Sequence, residues 1–85
     1  GIEERAQPAV VILAADADGS AVVVCKVSKA LRAIDAGGLV REMAGILGGG
    51  GGGGRGFAQG GGPKVDQLEA AIEAGLRSAR AVLEG

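Results

Sequence analysis

Eighty-five residues with a formal net charge of −1 and a hydrophobic content of 47% are enough for one small globular domain. The charge argues against a dedicated, strongly basic nucleic-acid binder, although local basic patches are compatible with it. The chain contains no His, which excludes a Ser/His or Cys/His nucleophile and the usual acid–base chemistry of imidazole.

The single cysteine, Cys25, excludes an internal disulfide and suits a reducing compartment. We interpret it as a buried strand residue. The sequence shows neither a signal peptide nor an apolar run of membrane-spanning length, and it starts at Gly1 rather than at Met. We therefore expect a fragment of a longer, cytoplasmic chain that has no membrane contact.

Two strands are predicted near the N-terminus. Residues 9–15 form a continuous apolar run rich in β-branched side chains, which predicts a strand buried on both faces. Residues 20–27, SAVVVCKV, predict a second buried strand. The intervening DADG is typical of a turn, so the two strands are expected to form an antiparallel hairpin, with Asp16 and Asp18 as turn residues rather than metal ligands.

Two helices follow. Asp35 is a candidate N-cap for a helix at about residues 36–47, in which Leu39, Val40, Met43 and Leu47 share one face. A second helix is predicted at about residues 65–84, with an apolar stripe formed by Val65, Leu68, Ile72, Leu76, Ala79 and Leu83.

The predicted fold class is α/β, a small two-layer or three-layer sandwich. Two helices on a two-stranded ribbon leave the sheet too thin, so at least one further strand must join the hairpin. The best remaining source is GFAQG, residues 56–60. The domain prediction is a single domain over residues 1–85, with a glycine loop at residues 48–62 between the helices.

The glycine segment allows two interpretations. A run of glycines is typical of a flexible linker. However, RGFAQGGGP, residues 55–63, places a cation, the only aromatic side chain and an amide among the glycines, which a spacer does not require. The segment follows a predicted helix rather than a strand and lacks GK[ST], so neither the dinucleotide fingerprint nor the P-loop applies. We therefore predict a shaped loop whose backbone amides approach an anionic or nucleotide surface.

The same residues resemble the glycine-rich signature near the C-terminus of alanyl-tRNA synthetases, a DHHA1-type domain. In that pattern GG-x-GGG is followed by three or four variable residues, then AQ and more glycines. VSKAL, residues 27–31, and AGGLVREMA, residues 36–44, extend the resemblance upstream, so that it covers roughly residues 9–84. The positions that match the pattern are Gly48, Gly49, Gly51, Gly52, Gly53, Ala58, Gln59, Gly61 and Gly62.

The resemblance implies a non-catalytic, tRNA-binding domain of an alanine–tRNA ligase. Such a domain reaches the outer corner of the alanine-specific tRNA, assists alanine attachment and editing, and in some members contributes to a homodimer. The catalytic residues lie upstream in the parent chain, so no cofactor is expected in this fragment. The parent would use ATP and Mg, and a Zn site upstream is also compatible with the family.

An alternative is the substrate-binding domain of a DHH-type phosphoesterase that acts on nucleotides or oligonucleotides. In that group the glycines are typically followed by His, whereas this chain has Arg55, Gly56 and Phe57. The difference favours the synthetase branch. A purely architectural dimerisation domain is a third possibility.

Binding is expected to be mainly to the RNA backbone, at the glycine segment and nearby cations. Arg55 is the natural phosphate contact, and replacement of residues 51–53 by Ala is expected to affect RNA binding more than folding. For Gln59, an internal role that ties down the loop competes with contact to a base or ribose, and Phe57 is interpreted as core rather than as a base-stacking residue. The candidate RNA-binding residues are Lys26, Lys29, Arg32, Gly51, Gly52, Gly53, Arg55, Gln59 and Lys64.

Overall fold

A computed structural model describes residues 10–28, 31 and 33–84 of the chain. Four strands form one antiparallel sheet in the order β1-β2-β4-β3, and both helices pack on the same face of it. This arrangement confirms the predicted α/β sandwich, in its two-layer form, and the need for further strands. The elements are β1 (Val10–Ala17), β2 (Ser20–Val27), α1 (Ala36–Ile46), β3 (Gly50–Gly53), β4 (Phe57–Gly62), a 3-10 turn (Val65–Gln67) and α2 (Leu68–Glu84).

The β1–β2 hairpin turns at Asp18 and Gly19, which have φ angles of 52° and 84°. The Asp16 carboxylate accepts a hydrogen bond from the Gly19 amide at 3.3 Å, as expected for a turn residue. The prediction that these strands are buried on both faces is wrong, because the helices cover only one side. On the other side, Val11 is 46% exposed and Leu13 is 62% exposed.

The strand predicted at residues 56–60 is confirmed by β4, but the rest of the predicted glycine loop at residues 48–62 is wrong, because residues 50–53 form a further strand. β3 and β4 pair antiparallel, with Gly51 opposite Gly60. A Cβ atom on Gly51 would lie 2.5 Å from the Gly60 Cα and 2.9 Å from Val40 Cγ1. The absence of side chains therefore lets α1 lie directly on the strand backbone, and this packing overrides the low strand propensity of glycine.

Helix α1 begins as the sequence predicts, with Asp35 as its N-cap. The Asp35 side chain accepts a hydrogen bond from the Gly37 amide at 3.1 Å. Two carbonyls of the β3–β4 turn complete the cap, since Arg55 accepts from the Ala36 amide at 2.9 Å and Gly54 accepts from the Gly37 amide at 3.1 Å. The turn between the glycine strands is thus attached to the start of α1.

Helix α2 buries the predicted stripe only in part. Ala79 is buried and Leu68 packs against the core, as predicted, whereas Leu76 is 44% exposed and Ala71, outside the predicted stripe, is buried. Gly75 lies so close to α1 that a Cβ atom on it would be 2.6 Å from Met43 Sδ. Small residues allow this close helix approach, and Leu76, about 100° further around the helix, consequently points outwards.

Candidate nucleic-acid interface

No helix of the described residues packs on one face of the sheet, and we call this face the open face. Because side chains alternate along a strand, its members follow from the strand register. Lys26 lies opposite Val11 on one side and opposite Phe57 on the other, while Val24 lies between Leu13 and Gln59. The open face is defined by Val11, Leu13, Ala15, Val22, Val24, Lys26, Phe57 and Gln59.

Phe57 is 52% exposed on the open face, so its interpretation as a core residue is wrong. The next residue, Ala58, points to the helices and is 1% exposed. Since α1 approaches β4 so closely, an alanine fits on the helix side, and the aromatic ring is accommodated on the open side. Gln59 is also exposed, whereas an internal tie to the glycine segment would bury it.

The predicted cations divide into separate regions. Lys26 is exposed beside Phe57, and Arg55 is exposed in the turn two residues before Phe57. Lys64 follows the opposite end of β4, where its side chain lies against Gly48 and its amide donates to the Leu47 carbonyl at 2.9 Å. A strand the length of β4 extends roughly 20 Å, so Lys64 is remote from the other two.

Two of the predicted cations, Lys29 and Arg32, lie outside the described residues. In the sequence they follow β2 directly, at the end where Lys26 lies. Their assignment to the interface remains a prediction.

The three glycines predicted to bind RNA have different surroundings. Cβ atoms on Gly51 and Gly53 would meet other residues at 2.5 Å and 2.6 Å, which gives Gly51 a packing role against α1 and β4 and Gly53 one against β4. Gly52 lies opposite Gln59, and a Cβ atom there would meet nothing within 4 Å. Only Gly52 therefore combines the position expected of a contact residue with room for a substitution.

The start of α1 is not an open anion site. The Ala36 and Gly37 amides, which a phosphate would otherwise meet at a helix N-terminus, already donate to the β3–β4 turn and to Asp35. The Gly54 and Arg55 carbonyls of the turn are therefore used within the domain. The candidate contact groups are the side chains of the open face and the exposed Arg55.

Charge is distributed unevenly between the two layers. Among the residues that define the open face, Lys26 is the only charged one. This face therefore carries a positive charge, whereas the whole chain has a net charge of −1. Acidic residues of the described segments lie elsewhere, for example Glu42 on α1 and Glu69 and Glu73 on α2. The open face consequently combines apolar surface with a single positive charge, a composition that suits a ligand with aromatic rings and a few anionic groups.

The open face could have been recognised in part from the sequence. In β2, the polar residues Ser20 and Lys26 occupy alternate positions that they share with Val22 and Val24. This spacing indicates that those valines face outwards, because a buried face would not hold an unpaired Lys. The five apolar residues in between mask the signal, and the outer positions of β1 hold no comparable polar residue.

Among residues 10–28, 31 and 33–84, no group of three or more His, Cys, Asp or Glu side chains is placed to hold a metal ion. Within the same part of the chain, no helix has the length and apolarity needed to cross a membrane.

Comparison with known proteins gives a consistent result. Alanine–tRNA ligases from Desulfosudis oleivorans and Rubrobacter xylanophilus are 44% and 51% identical over 73 and 70 residues, which are 85% and 78% of this chain. The chain spans about 8% of the length of each relative. The crystal structure of the C-Ala domain from Aquifex aeolicus alanyl-tRNA synthetase is 32% identical with a TM-score of 0.72, over 89% of this chain and 66% of that one.

The family model described as the DHHA1 domain matches residues 2–79. This match spans nearly the whole chain, and it agrees with the similarity in sequence to alanine–tRNA ligases and in fold to the C-Ala domain of an alanyl-tRNA synthetase. The chain belongs to the DHHA1 domain family.

Proposed function

We propose that this chain is the non-catalytic, tRNA-binding C-terminal domain of a cytoplasmic alanine–tRNA ligase. In this role it assists recognition of the alanine-specific tRNA, at its outer corner, for alanine attachment and editing, and contributes to a homodimer as a second role. The names of the relatives and their level of identity support the parent enzyme. The ATP and Mg²⁺ chemistry belongs to other parts of that enzyme.

The observation that carries the proposal is the exposed pair of Lys26 and Phe57 on a sheet face that no helix covers. A domain with a net charge of −1 has few ways to attract RNA, and the only charge that the described residues place on the open face is positive. Arg55 adds a second cation in the turn next to Phe57. We thus assign the proposed tRNA contact to the open face, at the end of the sheet where these residues lie.

The phosphoesterase alternative has less support. The curated relatives named above are ligases, and the glycine strands contain no His that could help to hold a substrate.

The test is binding of a fluorescently labelled alanine tRNA transcript to the 85-residue chain, measured by anisotropy at about 50 mM salt. We expect binding that is weakened about fivefold in Lys26→Gln, because one charge-assisted contact to a phosphate is lost. Arg80→Gln, which removes one exposed positive charge from α2, is the matched control and is expected to bind as the wild type does. Absence of binding even at low salt contradicts the proposal.

A further inference from the structure

We infer that the open face binds unstacked nucleobases rather than the sugar–phosphate backbone of a duplex, with Phe57 as the stacking residue and Gln59 beside it. This inference rests on the proposed tRNA-binding function and specifies the chemistry of its site. It replaces the expectation, formed from the glycines and cations alone, that contacts are mainly to the backbone.

The first support is the apolar character of the face. Val11, Leu13 and Phe57 are 46%, 62% and 52% exposed, the half-buried Val24 lies on the strand between them, and Val22, two residues further along that strand, is 38% exposed. They lie on three adjacent strands in register, so they form one continuous patch rather than scattered surface residues. Base rings are flat and largely apolar on their faces, so they match such a patch, whereas phosphates do not.

The second support is the position of polar groups around Phe57. Lys26 is its direct cross-strand neighbour, and Gln59 follows two residues later on the same face, roughly 7 Å away along the strand. A base stacked on the ring would place its edge towards the amide, which both donates and accepts hydrogen bonds. Its phosphate would lie towards Lys26 and Arg55 at the end of the sheet.

The third support is the small number of cations. Duplex nucleic acid carries about one charge per 1.7 Å of its axis, and proteins that bind it along the backbone neutralise many phosphates. Within the described part of the chain, the open face offers Lys26 alone, with Arg55 at its edge. A duplex laid across this surface would press phosphates against valines and a leucine, which removes their hydration without a compensating partner.

The experiment compares three probes on the 85-residue chain, namely the alanine tRNA transcript, a labelled single-stranded RNA oligonucleotide and the same oligonucleotide as a duplex. Phe57→Ala is the test variant, and Leu76→Ala, which removes a similarly exposed apolar side chain from α2, is the matched control. Phe57→Tyr retains a ring and serves as the conservative rescue. Circular dichroism of each variant confirms that the fold is retained.

We expect the single strand and the tRNA to bind, and the duplex to bind at least about tenfold more weakly. Phe57→Ala is expected to weaken binding about tenfold, while Phe57→Tyr and Leu76→Ala remain close to the wild type. With one or two phosphate contacts, log K should fall with log salt at a slope of about −0.7 to −1.4.

Other results overturn the inference in distinguishable ways. Tight duplex binding, or a slope steeper than about −3 that Phe57→Ala leaves unchanged, overturns base recognition but retains the proposed tRNA-binding function. Binding of the single strand without any binding of tRNA overturns the proposed function and retains a base-binding face. Sedimentation of a dimer that Phe57→Ala dissociates, with no RNA bound, shows that a second copy covers the face and overturns both.

Discussion

Substitution of two adjacent glycines in β3, one at a time, tests whether a glycine is needed for packing against α1. Gly51 faces α1, and a Cβ atom there would lie 2.5 Å from the Gly60 Cα, 2.7 Å from the Gln59 carbonyl oxygen and 2.9 Å from Val40 Cγ1. Two of these neighbours are backbone atoms, which can move only if the strand or the helix moves. Gly52, the next residue, has no atom within 4 Å of the corresponding position.

The expected cost follows from this difference. Forcing a methyl group into a closely packed site costs about 1–3 kcal/mol, so Gly51→Ala should lower the free energy of unfolding by that amount. Gly52→Ala should change it by less than about 0.5 kcal/mol, or raise it slightly, because alanine restricts the unfolded chain more than glycine does. For a domain of this size, each kcal/mol corresponds to roughly 4–8 °C in Tm.

Urea denaturation and thermal melting followed by far-ultraviolet circular dichroism measure both variants, since the chain has no Trp to report by fluorescence. The wild-type chain and Gly52→Ala serve as paired references. If Gly51→Ala is as stable as Gly52→Ala, then α1 does not rest on the strand backbone, and the packing role assigned to the glycines is refuted.

Two further predictions concern residues of the helix layer. Asp35→Ala should cost about 1 kcal/mol in urea unfolding, because the Gly37 amide loses its side-chain acceptor; an unchanged midpoint would mean that the β3–β4 turn caps α1 without it. Burial raises the pKa of the Cys25 thiol above its ordinary value of 9.0, so native protein should react slowly with a thiol reagent that modifies it readily in urea. The neutral thiol stabilises the fold fully below pH 9.0, and this contribution should decline as the pH rises above 9.0 and the unfolded state ionises. Cys25→Ala should lack that decline, and rapid labelling of the native protein would contradict the burial.

Several features were predictable because they depend on local chemistry. The DADG turn, the Asp35 cap and the apolar face of α1 all follow from residues close together in the chain. The combination of glycines with AQ was sufficient to indicate the DHHA1 family. The α/β class also followed, since two strands and two helices required additional sheet to bury their apolar surfaces.

The site was less predictable, for reasons that concern single residues. Phe57 is the only aromatic residue, and a sole aromatic side chain usually belongs to the core. Alternate residues of β4 point to opposite faces of the sheet. Ala58 faces α1, so its neighbour Phe57 faces away from the helices and is exposed. Lys26 was identified as a cation, but its neighbours on β1 and β4 follow only from the strand register.

The sequence by itself determined which segments are strand or helix near the N-terminus, where the first helix starts and to which family the chain belongs. Only the tertiary structure decided that both helices cover the same side of the sheet, which leaves Val11, Leu13 and Phe57 exposed. An unbroken apolar run has no period that distinguishes an outer face from an inner one. Glycine likewise has no intrinsic preference for a strand, so β3 exists because Val40 and Gly60 pack against a backbone without side chains.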